Sequence, residues 1–106
     1  MADEGNGKPV AGIRRLRTLE IAPGFGKTLA NHKLYPTTWG AQRLAVAIGQ
    51  LRIAVVLPSP EDTRIDLWGQ TGGYYARLFS SQLWLYYKFD DEALYLHAVH
   101  DHLSEM

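Results

Sequence analysis

A chain of 106 residues is long enough to bury one modest core and too short for a nucleotide-hydrolysing fold with its usual second half. Its 11 Lys and Arg balance 11 Asp and Glu, so no overall positive field draws it to nucleic acid or to an acidic membrane. The absence of cysteine excludes disulfides, thiolate zinc sites and thiol nucleophiles, in keeping with a reducing cytoplasm.

No apolar run approaches the about 18 residues of a membrane span, and the N-terminus lacks the basic-then-apolar plan of a signal peptide. A soluble, cytoplasmic protein is expected. Residues 1–12, "MADEGNGKPVAG", hold too little apolar surface to offset the entropy of ordering them and read as a flexible tail; residues 13–106 read as a single domain.

In "RRLRTLEIAP", Leu19 and Ile21 fall on one side and Thr18 and Glu20 on the other, which predicts a short half-buried strand closed by Pro23. Arg14, Arg15 and Arg17 are the densest basic cluster, either a solvated strand end or a nucleic-acid contact. The next stretch, "APGFGKT", imitates a phosphate loop. That motif places a glycine, four residues, then Gly-Lys-Ser/Thr, but here Ile21 stands where the first glycine belongs. A strand end running into a short helix over Phe25 to Lys33 is the simpler reading.

"TTWGAQRLAVAIGQLRIAVVLPSP" carries the strongest helical signal. Thr38 can cap it, and Leu44, Ile48, Leu51 and Val55 recur on one face until Pro58. The tail "IAVVL" is also compatible with a buried strand, and the helix is preferred. A turn-rich stretch leads to three strand-like segments: Tyr74 to Phe79, Leu83 to Phe89, and Ala93 to about His100. Their links are short enough only for antiparallel hairpins.

The motifs "LEIAPGFGKTL", "VLPSPED" and "GGYYARLFSSQLWLYYKFDDEALYLHAVHDHL", in this order, resemble the RelE/ParE superfamily of toxins from toxin–antitoxin pairs. The first is similar to the family's strand followed by Pro-x-Phe-x-Lys-x-Leu. The last is similar to its Gly-aromatic-x-x-Arg strand, its Leu-x-Tyr strand with an acidic hairpin, and its final Leu-rich strand. The likeness runs from about Arg14 to the end. It implies an α+β fold with one N-terminal strand, two antiparallel helices on one face, and a three-stranded antiparallel meander completing a twisted sheet of about four strands.

Members of this family that cut RNA on the ribosome do so without metal, so the resemblance implies no cofactor, a cognate antitoxin and RNA or the ribosome as partners. Such cleavage needs a group to take the ribose 2′-hydroxyl proton, a cation for the phosphorane and an acid for the leaving oxygen. Arg77 stands where the family commonly has arginine. His102 falls where the YoeB-like and YafQ-like branches place a histidine. The resemblance thus makes Arg77 and His102 the catalytic candidates, with Arg64, Trp84 and Lys88 as RNA contacts.

Each residue also has a plainer reading. Arg77 can pair with Asp66 or with an acidic hairpin residue, and His102 can be an exposed residue near the chain end. "HAVHDH" offers His100 and His102 on one face of a strand and His97 on the other, a weak zinc site without a third ligand. By strict alternation Leu94, Leu96 and Ala98 face the core, and so would His100 and His102 unless the strand ends or bulges near Val99. Trp84, Tyr86 and Lys88 form an aromatic strand face with one cation, suited to a protein partner or to stacked bases. Trp84 stands where ribosome-cutting members usually carry arginine. That departure and the neutral charge give the alternative, a ParE-like toxin or interaction module that inhibits a protein target such as gyrase by contact alone.

Overall fold

The computed structural model describes residues 16–65 and 73–103. The expectation of a tail over residues 1–12 lies outside them, as do Arg14, Arg15 and Asp66. The described elements are β1 (Thr18–Ile21), α1 (Phe25–Asn31), α2 (Trp39–Ile53), β2 (Thr63–Ile65), β3 (Tyr74–Ser80), β4 (Leu83–Phe89) and β5 (Ala93–His100). They build an α+β fold, as the sequence predicts.

One sheet runs in the order β1-β5-β4-β3-β2. The meander β3-β4-β5 is antiparallel, and its bounds match the alternation in the sequence to within a residue. One strand enlarges the expected four-stranded sheet: Thr63–Ile65 adds an antiparallel edge strand beside β3. The expected N-terminal strand, β1, joins the opposite edge parallel to β5, which makes the sheet mixed. As an edge strand β1 is exposed along its whole length, more than the half-buried strand expected.

Both helices lie on one face of the sheet. Phe25 of α1 and Leu44, Ala47 and Leu51 of α2 pack with Phe79, Leu85, Tyr87, Leu94, Leu96 and Val99 to form the main core. Thr38 caps α2 by accepting from Ala41 N at 3.2 Å, the exchange a helix N-terminus requires. The helix stops at Ile53, and Ala54 is extended, so "AVVL" continues neither as helix nor as a buried strand. Val55, expected on the buried face, is exposed.

Arg17 accounts for that early stop. Its guanidinium, only 2% exposed, donates from one terminal nitrogen to Leu51 O at 3.0 Å and Ala54 O at 2.8 Å. Its Nε donates to Asp90 O at 2.8 Å, and the cation lies 5.8 Å from the centre of the Phe89 ring. Carbonyls at the end of α2 and in the β4–β5 hairpin are thereby satisfied by one side chain ahead of β1. Arg17 is thus neither a solvated strand end nor a free nucleic-acid contact.

The phosphate-loop imitation is resolved in the same terms. Phe25 opens α1 and is buried, while the hydroxyl of Thr28 donates to Phe25 O at 2.6 Å and accepts from Val99 N at 3.1 Å. Thr28 thereby serves the β5 backbone just beyond the end of β1.

Replacing Arg17 by Met should destabilise the protein by about 3 kcal/mol, because buried carbonyls in two elements lose charged donors together. Urea unfolding checks this. Lys at the same position should recover only part of the loss, since an ammonium lacks the guanidinium fork. A shift under about 0.5 kcal/mol for the Met variant would show that water replaces the tie at little cost.

Candidate functional site

Strand parity divides the candidates between the two faces of the sheet. On β3, Tyr75, Arg77 and Phe79 point toward the helices, while Tyr74 and Ala76 point away. On β4, Leu85, Tyr87 and Phe89 face the helices, and Trp84 and Tyr86 face the opposite side. Among the described residues no helix lies on that second face. A small second core of Ala76 and Tyr86, with Ile65, Tyr74, Trp84 and Leu103 packed around it, sits there instead.

The arrangement of β5 depends on one extra residue. Tyr87 pairs with Leu96 but Tyr86 pairs with Ala98, so the register shifts by one residue at His97. A bulge of this kind reverses the parity of everything beyond it. Val99 therefore enters the main core, and His100 moves to the open face as the cross-strand neighbour of Trp84. The sequence called for a break near Val99. It occurs two residues earlier, which also overturns the expectation that Ala98 lies on the Leu94–Leu96 side.

The imidazoles of "HAVHDH" consequently collect on the open face. His97 stacks on Tyr74 with ring centres 4.4 Å apart, and His100 meets the Tyr86 ring edge-on at 4.8 Å. The rings of His100 and His102 are 5.9 Å apart. Tyr86 donates its hydroxyl to His102 O at 2.8 Å, which fixes the chain just past β5. The His102 side chain is 64% exposed, and its Nδ1 lies 2.8 Å from Asp101 Oδ1. Lys88 holds its Nζ 5.2 Å from the centre of the Tyr74 ring, a cation–π geometry.

Burial pushes the imidazolium of His97 and that of His100 below the ordinary value of 6.5. For His97 the neighbouring His100 and Lys88 add to the effect, and for His100 the neighbouring His102 and His32 do. Both rings are therefore held neutral, able to accept a proton, over a wider range of pH than a free histidine. No group of three or more metal-binding side chains suited to holding an ion occurs among the described residues, which leaves the zinc reading without a third ligand.

Arg77 does not join this group. It donates from Nε to Asp62 Oδ1 at 2.9 Å, from one terminal nitrogen to Ser59 Oγ at 2.6 Å, and from the other to Gln50 Oε1 of α2 at 3.3 Å. The hydroxyl of Tyr87 donates to the same carboxylate, and that contact, after burial, pushes the phenol far above its usual value. The plainer reading of Arg77 as an ion-pair residue holds, with Asp62 as the partner. The expected convergence of Arg77 with His102 is not met: Arg77 on β3 points toward α2, whereas His102, past the end of β5, sits beside His100 and Tyr86 on the open face. Arg64, exposed on β2, is the register neighbour of Tyr75 and so shares the helix-facing side.

Of the five side chains singled out from the sequence, Trp84, Lys88 and His102 thus share one face, and Arg64 and Arg77 lie across the sheet from them. His97, His100, Tyr74 and Tyr86 complete the face. The alternation of β4 pointed to Tyr86, whereas Asp62, the last residue of "VLPSPED" in a turn-rich stretch without periodicity, was not singled out as a partner of Arg77.

No protein-family model matches the chain, and no curated protein matches it. Solved structures do. In the crystal structure of the E. coli DinJ-YafQ toxin-antitoxin complex, a chain 22% identical aligns over 80% of this chain and 91% of its own length with a TM-score of 0.58. A second crystal structure of the E. coli DinJ-YafQ complex gives 23% identity over 78% of this chain and 90% of the other, with a TM-score of 0.56. YafQ from E. coli strain BL21(DE3) gives 21% identity, the same coverage and a TM-score of 0.57.

Because Asp62 is buried, removing either member of its pair with Arg77 strands the other. Asp62→Asn and Arg77→Met should each cost about 3 kcal/mol, and the double variant should be at least about 1 kcal/mol more stable than the sum of the two losses requires. Chemical denaturation of the four proteins completes the cycle, and strict additivity would refute the coupling. The chain thus shares the α+β fold of the YafQ structures.

Proposed function

We propose that the protein is the toxin of a toxin–antitoxin pair and a metal-independent endoribonuclease acting on RNA, ribosome-associated RNA included, through the open face of its sheet. The observation that carries this reading is the assembly of His97, His100 and His102 with Lys88 and the rings of Tyr74, Trp84 and Tyr86 on the face that the helices leave uncovered. The half-buried rings of Tyr74 and Trp84 give bases a stacking surface that tolerates many sequences, the buried Tyr86 supports them from beneath, and Lys88 offers a cation to the backbone.

Two imidazoles with ring centres 5.9 Å apart can divide the proton transfers. His100, held neutral, takes the proton of the ribose 2′-hydroxyl as that oxygen attacks phosphorus. The P–O5′ bond breaks, and protonated His102 delivers its proton to the departing 5′ oxygen. The products are a 2′,3′-cyclic phosphate and a 5′-hydroxyl. Lys88 and Trp84 hold the substrate, and Arg77, spent on Asp62, is left out of the chemistry. A cognate antitoxin belongs to this proposal, supported by the YafQ fold neighbour having been crystallised as part of a toxin–antitoxin complex.

A non-catalytic toxin that blocks a protein target such as gyrase is the second reading. It is favoured by the groove between α2 and β3, where Trp39, 75% exposed, stands with exposed Val46 and Leu78 beside Arg43. Trp and Arg at an exposed apolar patch are the residue types that dominate protein interfaces.

Incubating the purified protein with ribosomes and with free RNA, in a chelator, decides between the two. Cleavage should persist without divalent metal, leave cyclic phosphate ends, and fall about 100-fold or more in His102→Ala. The rate should decline as pH falls through a value below 6.5, where the base becomes protonated. Toxicity without any cut RNA, undiminished by removing both His100 and His102, would favour the contact inhibitor.

A further inference from the structure

Beside the histidines, and separate from His102, the open face holds a cleft of about 430 Å³ lined by Glu20, Tyr74, Lys88, Tyr95 and His97 together with the end of β1. Three of these residues stand in one row across three strands: Lys88 on β4 is the register neighbour of Tyr95 on β5, which is the neighbour of Glu20 on β1. Strand spacing places the two charged residues about 10 Å apart at the backbone, with an aromatic ring between them. The described structure pairs neither with the other.

The ring is held in place. The Tyr95 hydroxyl donates to Asp90 Oδ2 at 3.0 Å, and Asp90 in turn accepts from the amides of Glu92 and Ala93, each at 2.8 Å. The Tyr74–His97 stack, 4.4 Å between ring centres, stands on the same face toward β3. The cleft thus has an aromatic floor, a cation at one end and a carboxylate at the other. That is the pattern a nucleotide complements, with its anionic phosphate, flat base and polar base edge.

We infer that this cleft is a base-reading subsite for guanine, with Lys88 on the phosphate, Tyr95 beneath the base and Glu20 accepting hydrogen bonds from its Watson–Crick edge. The inference rests on the proposal that the open face takes RNA. Guanine follows from hydrogen-bond inventory. An ionised carboxylate only accepts, and guanine alone presents two adjacent donors, its N1–H and N2–H, on that edge. Adenine and cytosine present a donor beside a ring nitrogen that accepts, and uracil presents its donor between two carbonyl oxygens. Each of those sets a lone pair against the carboxylate, so selectivity comes from repulsion as well as attraction.

Along β4 the step from Lys88 to Trp84 is four residues, about 13 Å of extended chain. The guanine read at Glu20 therefore lies one or two nucleotides away from the bond that His100 and His102 would cut.

Titrating the intact protein with 5′-GMP, AMP, CMP and UMP, followed by amide shift perturbation, tests this without cleavage. GMP should bind roughly tenfold tighter than the other three, at the low end of what a two-bond base contact discriminates. Shifts should centre on Glu20, Tyr95 and His97. Glu20→Gln, at an exposed edge position, should abolish the preference, while Lys88→Gln should weaken all four nucleotides alike. Equal affinities, no binding in the millimolar range, or shifts outside the cleft would overturn the inference. A protein that cuts no RNA yet prefers GMP at this cleft would sink only the nuclease proposal. One that cuts RNA but binds all four alike would sink only this one.

Discussion

One extra residue in the final strand decides which chemistry the sheet displays. Were β5 regular, Leu94, Leu96, Ala98 and His100 would share the helix-facing side, and an imidazole would have to enter a core of leucines and aromatic rings. With His97 inserted between the Leu96–Tyr87 and Ala98–Tyr86 pairs, Val99 takes the core position and His100 is turned outward beside Trp84. The bulge is supported from both faces. His97 gains a stacking partner in Tyr74, and the amide of Val99 donates to the hydroxyl of Thr28 in α1. A cluster of imidazoles next to the half-buried rings of Tyr74 and Trp84 is the consequence, obtained without burying a charge.

Two guanidinium anchors among the described residues, Arg17 buried and Arg77 partly so, show the complementary half of this arrangement. Arg17 is consumed by carbonyls of α2 and of the β4–β5 hairpin, and Arg77 by Asp62, Ser59 and Gln50. Both stabilise the junction between helices and sheet, where arginine's planar fork satisfies several acceptors at once. The open face carries Lys88 and the imidazoles instead. Under the function proposed above, a chain of neutral overall charge would meet its anionic substrate through this local group of cations and rings.

The meander was legible because its strands alternate cleanly and its links leave room only for hairpins. The two faces of β4 followed directly, with Trp84, Tyr86 and Lys88 opposite Leu85, Tyr87 and Phe89. The cap at Thr38 and the short helix at Phe25 were legible from local chemistry. Three things were not. Thr63–Ile65 is too short for alternation to register, and its place as an edge strand comes from pairing with β3. The end of α2 depends on Arg17, 34 residues from Leu51 in sequence, so the periodic run through Val55 overstates the helix. The side of the sheet reached by His100 depends on a bulge that composition does not announce. Arg77 illustrates the same limit at the site: an ion pair was among its expected roles, but its partner Asp62, 15 residues away in a turn-rich stretch, is fixed by the tertiary fold and not by local periodicity.

The central claim, that the face opposite the helices is the functional one, is most directly tested by mapping the binding of a short 2′-O-methyl RNA, which cannot be cut, onto the backbone amides by NMR. The account predicts perturbations along Tyr74, Trp84, Tyr86, Lys88, His97 and His100, with Gln50, Asp62 and Arg77 unmoved. Perturbations centred instead on α2 and the Arg77 side would contradict it.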